Sequence, residues 1–544
     1  MIKVMTVRPS AGLLPRAEDG RLVSRWRDSH IDCNSTGHRS TTAECQQAAS
    51  MSTDRNLPQP PAANRGDRRS ATLLAGLCLL AGCATRPAGE DATLHRWTQL
   101  GPGGSVSLRS IVAEGSACPQ AVVDGARVPL RPRAGATLAR EARRPSPDNP
   151  AFRPDFAVTS CAATLPVNAR QARIGNDAVP MPAADPRRIV VVGDTGCRIK
   201  VPASGPADPL QDCASASEWP WPRIAAAAAA TGPDLVIHLG DYHYREYCDD
   251  PARCQRLLDQ GVVVGYGWAG WQADFFAPAT PLLAAAPWIF VRGNHENCDR
   301  GGEGWMRFLS PGPYRQCGSQ RYRTASQSVL GNNLTADAYR IDLGERLTLV
   351  VADNAAFADY LPLAETPDDL AILRRSLSTL ATLPAERPLW LLIHKPLWYG
   401  LLPASAQPNA LQTFARDGLP TATQVVFAGH QHAFATINFA DRTRRPAQVI
   451  AGGSGTQLEA FDPQSPLYEA GAPGSKERAD PDERLYDGVA ASSGIVLNRY
   501  GFLLLERAEE TWNGTLIDAD GQAISRCQLD GAARRMLCAF PSPP

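Results

Sequence analysis

No apolar run in this chain of 544 residues reaches the roughly 18 to 20 residues that a membrane-spanning helix needs. Charge of one sign is not in excess either: 55 basic residues meet 55 acidic ones, so no global field recruits nucleic acid, and none is implied as a partner. The 14 cysteines contain no CxxC pair, which argues against cysteine-built metal sites. Neither an internal repeat nor a coiled-coil heptad is present, which sets solenoids and coiled coils aside. What remains is an ordinary globular composition, 44% hydrophobic and 20% charged. The length exceeds one ordinary core and calls for two or more domains.

Residues 1–50 lack sustained periodicity, are rich in Arg, Ser and Thr, and read as a mis-assigned or disordered extension ahead of a second start at Met51. Arg65, Arg68 and Arg69 then precede the apolar stretch Ala71 to Ala81 and the run Leu80-Ala81-Gly82-Cys83. A basic head, a short apolar segment and a small-residue cut site make residues 51–83 a secretory signal. Its ending resembles the lipobox of bacterial lipoproteins, in which the cysteine is lipidated. Cys83 is therefore the expected membrane anchor, and residues 84–96, with Pro87 and Gly89, the tether. Ala84 rather than Asp follows the cysteine, which points to the outer membrane, facing the periplasm.

Ten cysteines follow Cys83, an even number that suits disulfides in an exported chain. Sequence does not determine their connectivity. Neighbours along the chain give the expected pairs Cys118–Cys161, Cys197–Cys213, Cys248–Cys254, Cys298–Cys317 and Cys527–Cys538.

Between Trp97 and about Leu165, short alternating runs such as Val106-Ser107-Leu108-Arg109 are broken by Gly and Pro. That pattern predicts a small all-β, sandwich-like domain over 97–180, and Pro180, Pro182 and Pro186 mark a linker. From 187 to about 460, strands alternate with helical segments, including the Ala-rich run Ile224 to Ala230, as in βαβ units. Residues 263–270 and 300–340 read as loops near a site. Tyr500 to Leu505 and Thr511 to Asp518 look like closing strands of a second domain spanning 187–544.

Five short motifs fall inside that domain: GDTG (193–196), GDYHY (240–244), GNHE (293–296), LLIH (391–394) and GHQH (429–432). Each follows an apolar run that reads as a buried strand. A parallel α/β sheet places its ligands at the carboxyl ends of its strands. The strand ends would thus deliver Asp194, Asp241, Tyr244, Asn294, His394, His430 and His432 to one edge, enough oxygen and nitrogen donors for two metal ions.

In order and spacing these motifs resemble the calcineurin-like metallophosphoesterase superfamily, and within it the purple acid phosphatases, over roughly residues 187–460. The family pattern is DxG, GDxxY, GNH(E/D), VxxH and GHxH, matched here except that Leu391 stands for the Val. Many metallophosphoesterases carry DxH at the first motif, where the His ligates a metal. Gly196 occupies that place here, and Tyr244 supplies a hard, anionic phenolate suited to a trivalent ion. The resemblance implies an α/β fold, a metallophosphoesterase-type β-sandwich flanked by helices. It implies that Asp194, Tyr244 and His432 hold iron(III), that Asn294, His394 and His430 hold a divalent ion (iron, zinc or manganese), and that Asp241 bridges the two. With one bound hydroxide counted as well, one positive charge would remain to attract phosphate. The implied reaction is attack of a metal-bound hydroxide on a small phosphate monoester, with His295 protonating the leaving alkoxide.

Plant and mammalian members usually supply another substrate-facing His shortly after the fourth motif. None lies between His394 and His430; Lys395, Trp398 and Tyr399 occupy that neighbourhood. His243 is one expected substitute, equally open to pointing elsewhere, and Arg292 is a candidate phosphate contact for which a structural ion pair is the stronger expectation. His238 reads as a core histidine, and Gly452-Gly453-Ser454-Gly455 resembles a loop that passes near the metals in this superfamily. The reading is an exported phosphatase. A phosphodiesterase or nucleotidase would use the same site, and a non-catalytic envelope binding lipoprotein is the alternative of another class. Competent residues at all seven ligand positions argue for hydrolysis. The oligomeric state is left open.

Overall fold

The computed structural model describes residues 93–138, 155–202, 210–298, 300–317, 337–359, 361–378, 387–398, 408–439, 445–459, 485–486 and 489–539. The N-terminal extension, the signal, Cys83, most of the tether and Tyr399 lie outside the described residues.

In chain order the strands are β1 (Thr93–Leu100), β2 (Val106–Ala113), β3 (Arg131–Ala134), β4 (Val158–Thr164), β5 (Arg188–Val192), β6 (Leu235–His238) and β7 (Trp288–Phe290). There follow β8 (Tyr339–Leu343), β9 (Leu347–Val351), β10 (Leu389–Leu392), β11 (Thr423–Ala428), β12 (Phe434–Phe439), β13 (Ala447–Ala451) and β14 (Val489–Leu497). The chain closes with β15 (Phe502–Ala508), β16 (Thr511–Ile517), β17 (Ala523–Asp530) and β18 (Arg535–Ala539). One sheet runs β18-β17-β16-β15-β5-β6-β7-β1-β2-β4-β3, and a second runs β8-β9-β10-β11-β13-β12-β14. At the centre of the first, β5, β6 and β7 are parallel; in the second, so are β9, β10, β11 and β13.

Alternating side chains stack these sheets. Ile189 and Val191 of β5 and Ile237 of β6 meet Trp390, Leu392, Val425 and Phe427 in a core between the sheets. The intervening Val190, Val192 and Val236 pack outward under two helices, α1 (Trp221–Ala230) and α2 (Ala277–Ala285). On the far side, Val350, Leu391 and Val426 pack under α3 (Pro367–Ser376) and α4 (Ala410–Gly418). The result is the expected sandwich flanked by helices. Burying each such Val, Leu or Ile stabilises by roughly 1.5–3 kcal/mol. In α1, Trp221, Ile224, Ala225 and Ala228 recur at helical spacing and are the buried face. Asn409 and Gln412 form a reciprocal capping box at the start of α4.

The strands expected over 97–180 are present, and they extend the first sheet: β1 pairs in parallel with β7 at Gln99↔Trp288. Gln99 Nε2 donates to the Leu309 carbonyl at 2.6 Å, and Arg133 donates to the carbonyls of Met306 and Ser310 at 2.9 and 3.0 Å. A separate four-stranded sheet, Asp177–Val179, Ala172–Ile174, Gln120–Val123 and Ala126–Pro129, lies over its own apolar cluster. The proline linker thus divides the sequence without dividing the sheet. All five cysteine pairs are bonded as neighbours along the chain imply.

Candidate metal centre

Parallel strand ends bring the motifs together, and their backbone is unusual there. Asp194, Asp241 and His430 adopt φ of 56°, 58° and 70°, the left-handed region that Asp, Asn and His tolerate best among residues with a Cβ. The turns brace each other: Asp194 N donates to Gly240 O and Thr195 N to Asp241 O, both at 3.0 Å. Glu296, buried at the end of GNHE, accepts from the backbone N–H of Asp241, Tyr242 and Gly293 at 3.0, 2.9 and 3.0 Å. Asp274 does the same for Tyr244, accepting its N–H at 2.8 Å together with that of Cys197 at 3.0 Å. A Cβ on Gly196 would lie 2.7 Å from Tyr244 N and 2.9 Å from Tyr242 O, so the GDYHY backbone fills the space a side chain would need. One on Gly452 would lie 2.7 Å from Asp194 Oδ2 and 2.1 Å from Gln431 O, so the glycine loop packs directly on the first motif.

All seven candidate ligands are drawn together. Tyr244 Oη lies 3.1 Å from Asp194 Oδ1, 2.7 Å from Asp241 Oδ2 and 2.9 Å from His432 Nε2. His394 Nε2 lies 2.9 Å from Asn294 Oδ1 and 3.2 Å from the same Asp241 Oδ2. Donor atoms of Asp241, His394 and His430 fall within 4.8 Å of one another. Asp241 Oδ2 is therefore the point where the two groups of donors meet. Each histidine is also anchored by one ring nitrogen: His394 Nδ1 at 2.8 Å from Leu239 O, His432 Nδ1 at 2.8 Å from Gln457 O, and His430 Nε2 at 2.7 Å from Asp359 Oδ2. Such anchoring holds the proton on one nitrogen and leaves the other to ligate.

Charge tells the same way. Burial, and then Asp241, push the Asp194 carboxyl well above its usual range. Burial followed by Asp241 and Asp194 pushes the Tyr244 phenol well up. Acidic donors packed together in a low dielectric are relieved by taking up protons or by a bound cation, which would favour their anionic forms. The donor set fits two ions, with Asp194, the Tyr244 phenol and His432 on one side, two imidazoles and an amide on the other, and Asp241 between them.

His295 stacks on Tyr244, ring centroids 3.7 Å apart, with Nε2 3.8 Å from Asp241 Oδ2. Its Nδ1 lies 2.9 Å from Glu246 Oε1, and Arg300 pairs with both Glu246 and the His295 ring. Glu246, Arg300, Asp274 and Asp359 escape sequence reasoning, because none sits in a motif and each acts through a contact distant along the chain. His243 is corrected: it is fully buried, stacked on Trp271, with Nδ1 3.3 Å from Asp274 Oδ2, and faces no substrate space. Arg292 is likewise buried, 3.3 Å from Asp353 and 2.8 Å from Asn297 Oδ1, a structural pair rather than a phosphate contact. His238 is a core histidine as expected, stacked on Tyr242 with Nε2 3.0 Å from Thr195 Oγ1.

Residues 187–434 match the family model for the calcineurin-like phosphoesterase. Among solved structures the chain is similar to a purple acid phosphatase isolated from yellow lupin (Lupinus luteus) seeds, at 14% identity over 81% of this chain and 74% of that one, with a TM-score of 0.48. It is also similar to PhoD, at 12% identity over 84% of this chain and 93% of that one, with a TM-score of 0.44. A dimetal phosphatase from Danio rerio matches at 11% identity over 64% and 99% of the two chains, with a TM-score of 0.31. No curated protein matches the chain.

Proposed function

We propose that this chain is a metallophosphoesterase that hydrolyses phosphate monoesters at a dinuclear centre held by Asp194, Tyr244 and His432 on one side, Asn294, His394 and His430 on the other, and Asp241 between them. The observation that carries this reading is the meeting of both donor groups at one oxygen, Asp241 Oδ2, 2.7 Å from Tyr244 Oη and 3.2 Å from His394 Nε2. The phenol and two carboxylates suit iron(III), and the imidazoles and amide suit divalent iron, zinc or manganese. Held by these residues, two cations would supply charge neutralisation for a phosphate and lower the pKa of water near them.

The chain's own residues do the rest. Asp241 sets the spacing of the two donor groups. The Asn294 amide oxygen is directed at His394, and its neighbour His295 is held by Glu246 and Arg300. His295 donates a proton to the leaving oxygen, with Glu246 orienting the ring through Nδ1. Arg300, paired with Glu246, also holds that ring.

Export is part of the proposal. Five disulfides support an oxidising compartment. The signal and lipobox over 51–83 support lipid anchoring at Cys83 in the outer membrane, facing the periplasm. Mass spectrometry of the native N-terminus is expected to find a lipidated Cys83; an unmodified chain beginning before Met51 would refute the anchor.

The test of activity is phosphate release from a nitrophenyl monoester and its bis-ester, with residues 84–544 made in an oxidising compartment. Monoester cleavage in acid solution, lost in Asp241→Asn, is the expected result. Preference for the bis-ester would make the protein a phosphodiesterase, and no cleavage by protein holding both metals would favour a binding role.

A further inference from the structure

Asp359 lies outside all five motifs, on the segment that leaves β9, yet its carboxylate reaches the centre. It is 4% exposed, with Oδ2 2.7 Å from His430 Nε2 and Oδ1 3.0 Å from Lys395 Nζ. Both partners are held in turn. Lys395 Nζ also donates to the Phe357 carbonyl at 2.7 Å, and the Asp359 carbonyl accepts from Asn409 Nδ2, the cap of α4, at 2.6 Å. The carboxylate is thus held by its own loop, by the residue after His394 and by a helix start. Burial opposes its charge, but Lys395 and His430 offset this and hold it well below the usual carboxylate range.

A surface ion pair would need only one of those oxygens. Here the second oxygen meets a candidate ligand. An imidazole whose Nε2 faces a carboxylate keeps its proton there and presents the Nδ1 lone pair, and Asp241 and His394 offer the other donors of that side. We propose that Asp359, locked by Lys395, is a positioning residue that sets the tautomer of His430 and through it the affinity for the divalent ion. This inference rests on the dinuclear reading above.

Lys395 neutralises Asp359, so the effect runs through proton placement more than through net charge. That makes Asp359→Asn a sharp test. Lys395 would hold the amide oxygen, turning the amide N–H toward His430 Nε2. The imidazole proton then moves to Nδ1, the nitrogen that must ligate. Loss of such an outer partner lowers metal affinity about 10- to 100-fold. Zinc titrated calorimetrically into protein whose Tyr244 side is filled with iron should bind that much more weakly to Asp359→Asn. The visible phenolate-to-iron band should stay unchanged, and circular dichroism should match the parent. Equal zinc affinity in both proteins would overturn the inference while leaving the two-ion centre intact. A parent protein that binds one ion in all would overturn the dinuclear reading, and this inference with it. Nitrogen-15 NMR of the zinc-loaded parent needs no variant: the proton of His430 is expected on Nε2, and a proton on Nδ1 would overturn the assignment.

Discussion

The two halves of the centre differ in what braces them most, although His432 of the first is also held from outside, by the Gln457 carbonyl. On the Tyr244 side the donors bind one another: one phenolic oxygen touches Asp194, Asp241 and His432. On the His394 side two imidazoles are held from outside, His394 by the Leu239 carbonyl and His430 by Asp359. The first half concentrates acidic groups in a buried space, so a highly charged ion gains most there. The second is built of neutral donors whose direction is supplied by neighbours, so its ion is held less by charge than by geometry. Affinity on one side should follow charge, and on the other, orientation.

Asp241→Asn should break the comparison outright, since its oxygen serves both halves. Turnover is expected to vanish, and metal analysis should show loss on both sides. His295→Ala should instead slow turnover by about 10²- to 10⁴-fold with both metals retained. Equal metal loss in these two variants would contradict the role of His295. A mild chelator sharpens the difference: it should strip the His394 side first, leaving the visible band and abolishing turnover. Tyr244→Phe should remove that band without unfolding, and calorimetry should find zinc affinity on the His394 side little changed. Smallest in its effect on the chemistry is the pair Cys197→Ala/Cys213→Ala, beside the Tyr244 side. Freeing that loop should lower unfolding stability by about 3 kcal/mol, read by denaturant titration, with both metals still bound.

The motifs were legible because strand-end donors in a parallel sheet must recur as an apolar run followed by a turn, a pattern that shows in one dimension. The disulfides follow the simple expectation that neighbours along the chain pair, over separations from 6 residues at Cys248–Cys254 to 43 at Cys118–Cys161, although sequence alone does not determine their connectivity. Asp359 was not, because its role comes from a contact with His430 made 71 positions away. Glu246 likewise meets His295 only because β6 and β7 lie side by side. His243 misled for a local reason: residues 241–244 are not a strand, so no alternation guides them, and Tyr244 meets the donors while Tyr242 and His243 both pack on Trp271. The pairing of β1 with β7 was hidden because parallel pairing leaves no turn between the partners.

The left-handed backbone at positions 194, 241 and 430 restricts how this protein can age under mutation. Most replacements there are refused by the main chain before chemistry is consulted, and Gly and Asn are the ones the fold accepts readily. A duplicate released from selection for turnover would therefore drift first to Asn or Gly at Asp194 and Asp241, keeping its shape while losing its charge. Silent relatives of this enzyme should be recognisable by that signature alone, an intact frame with amides where the acids stood.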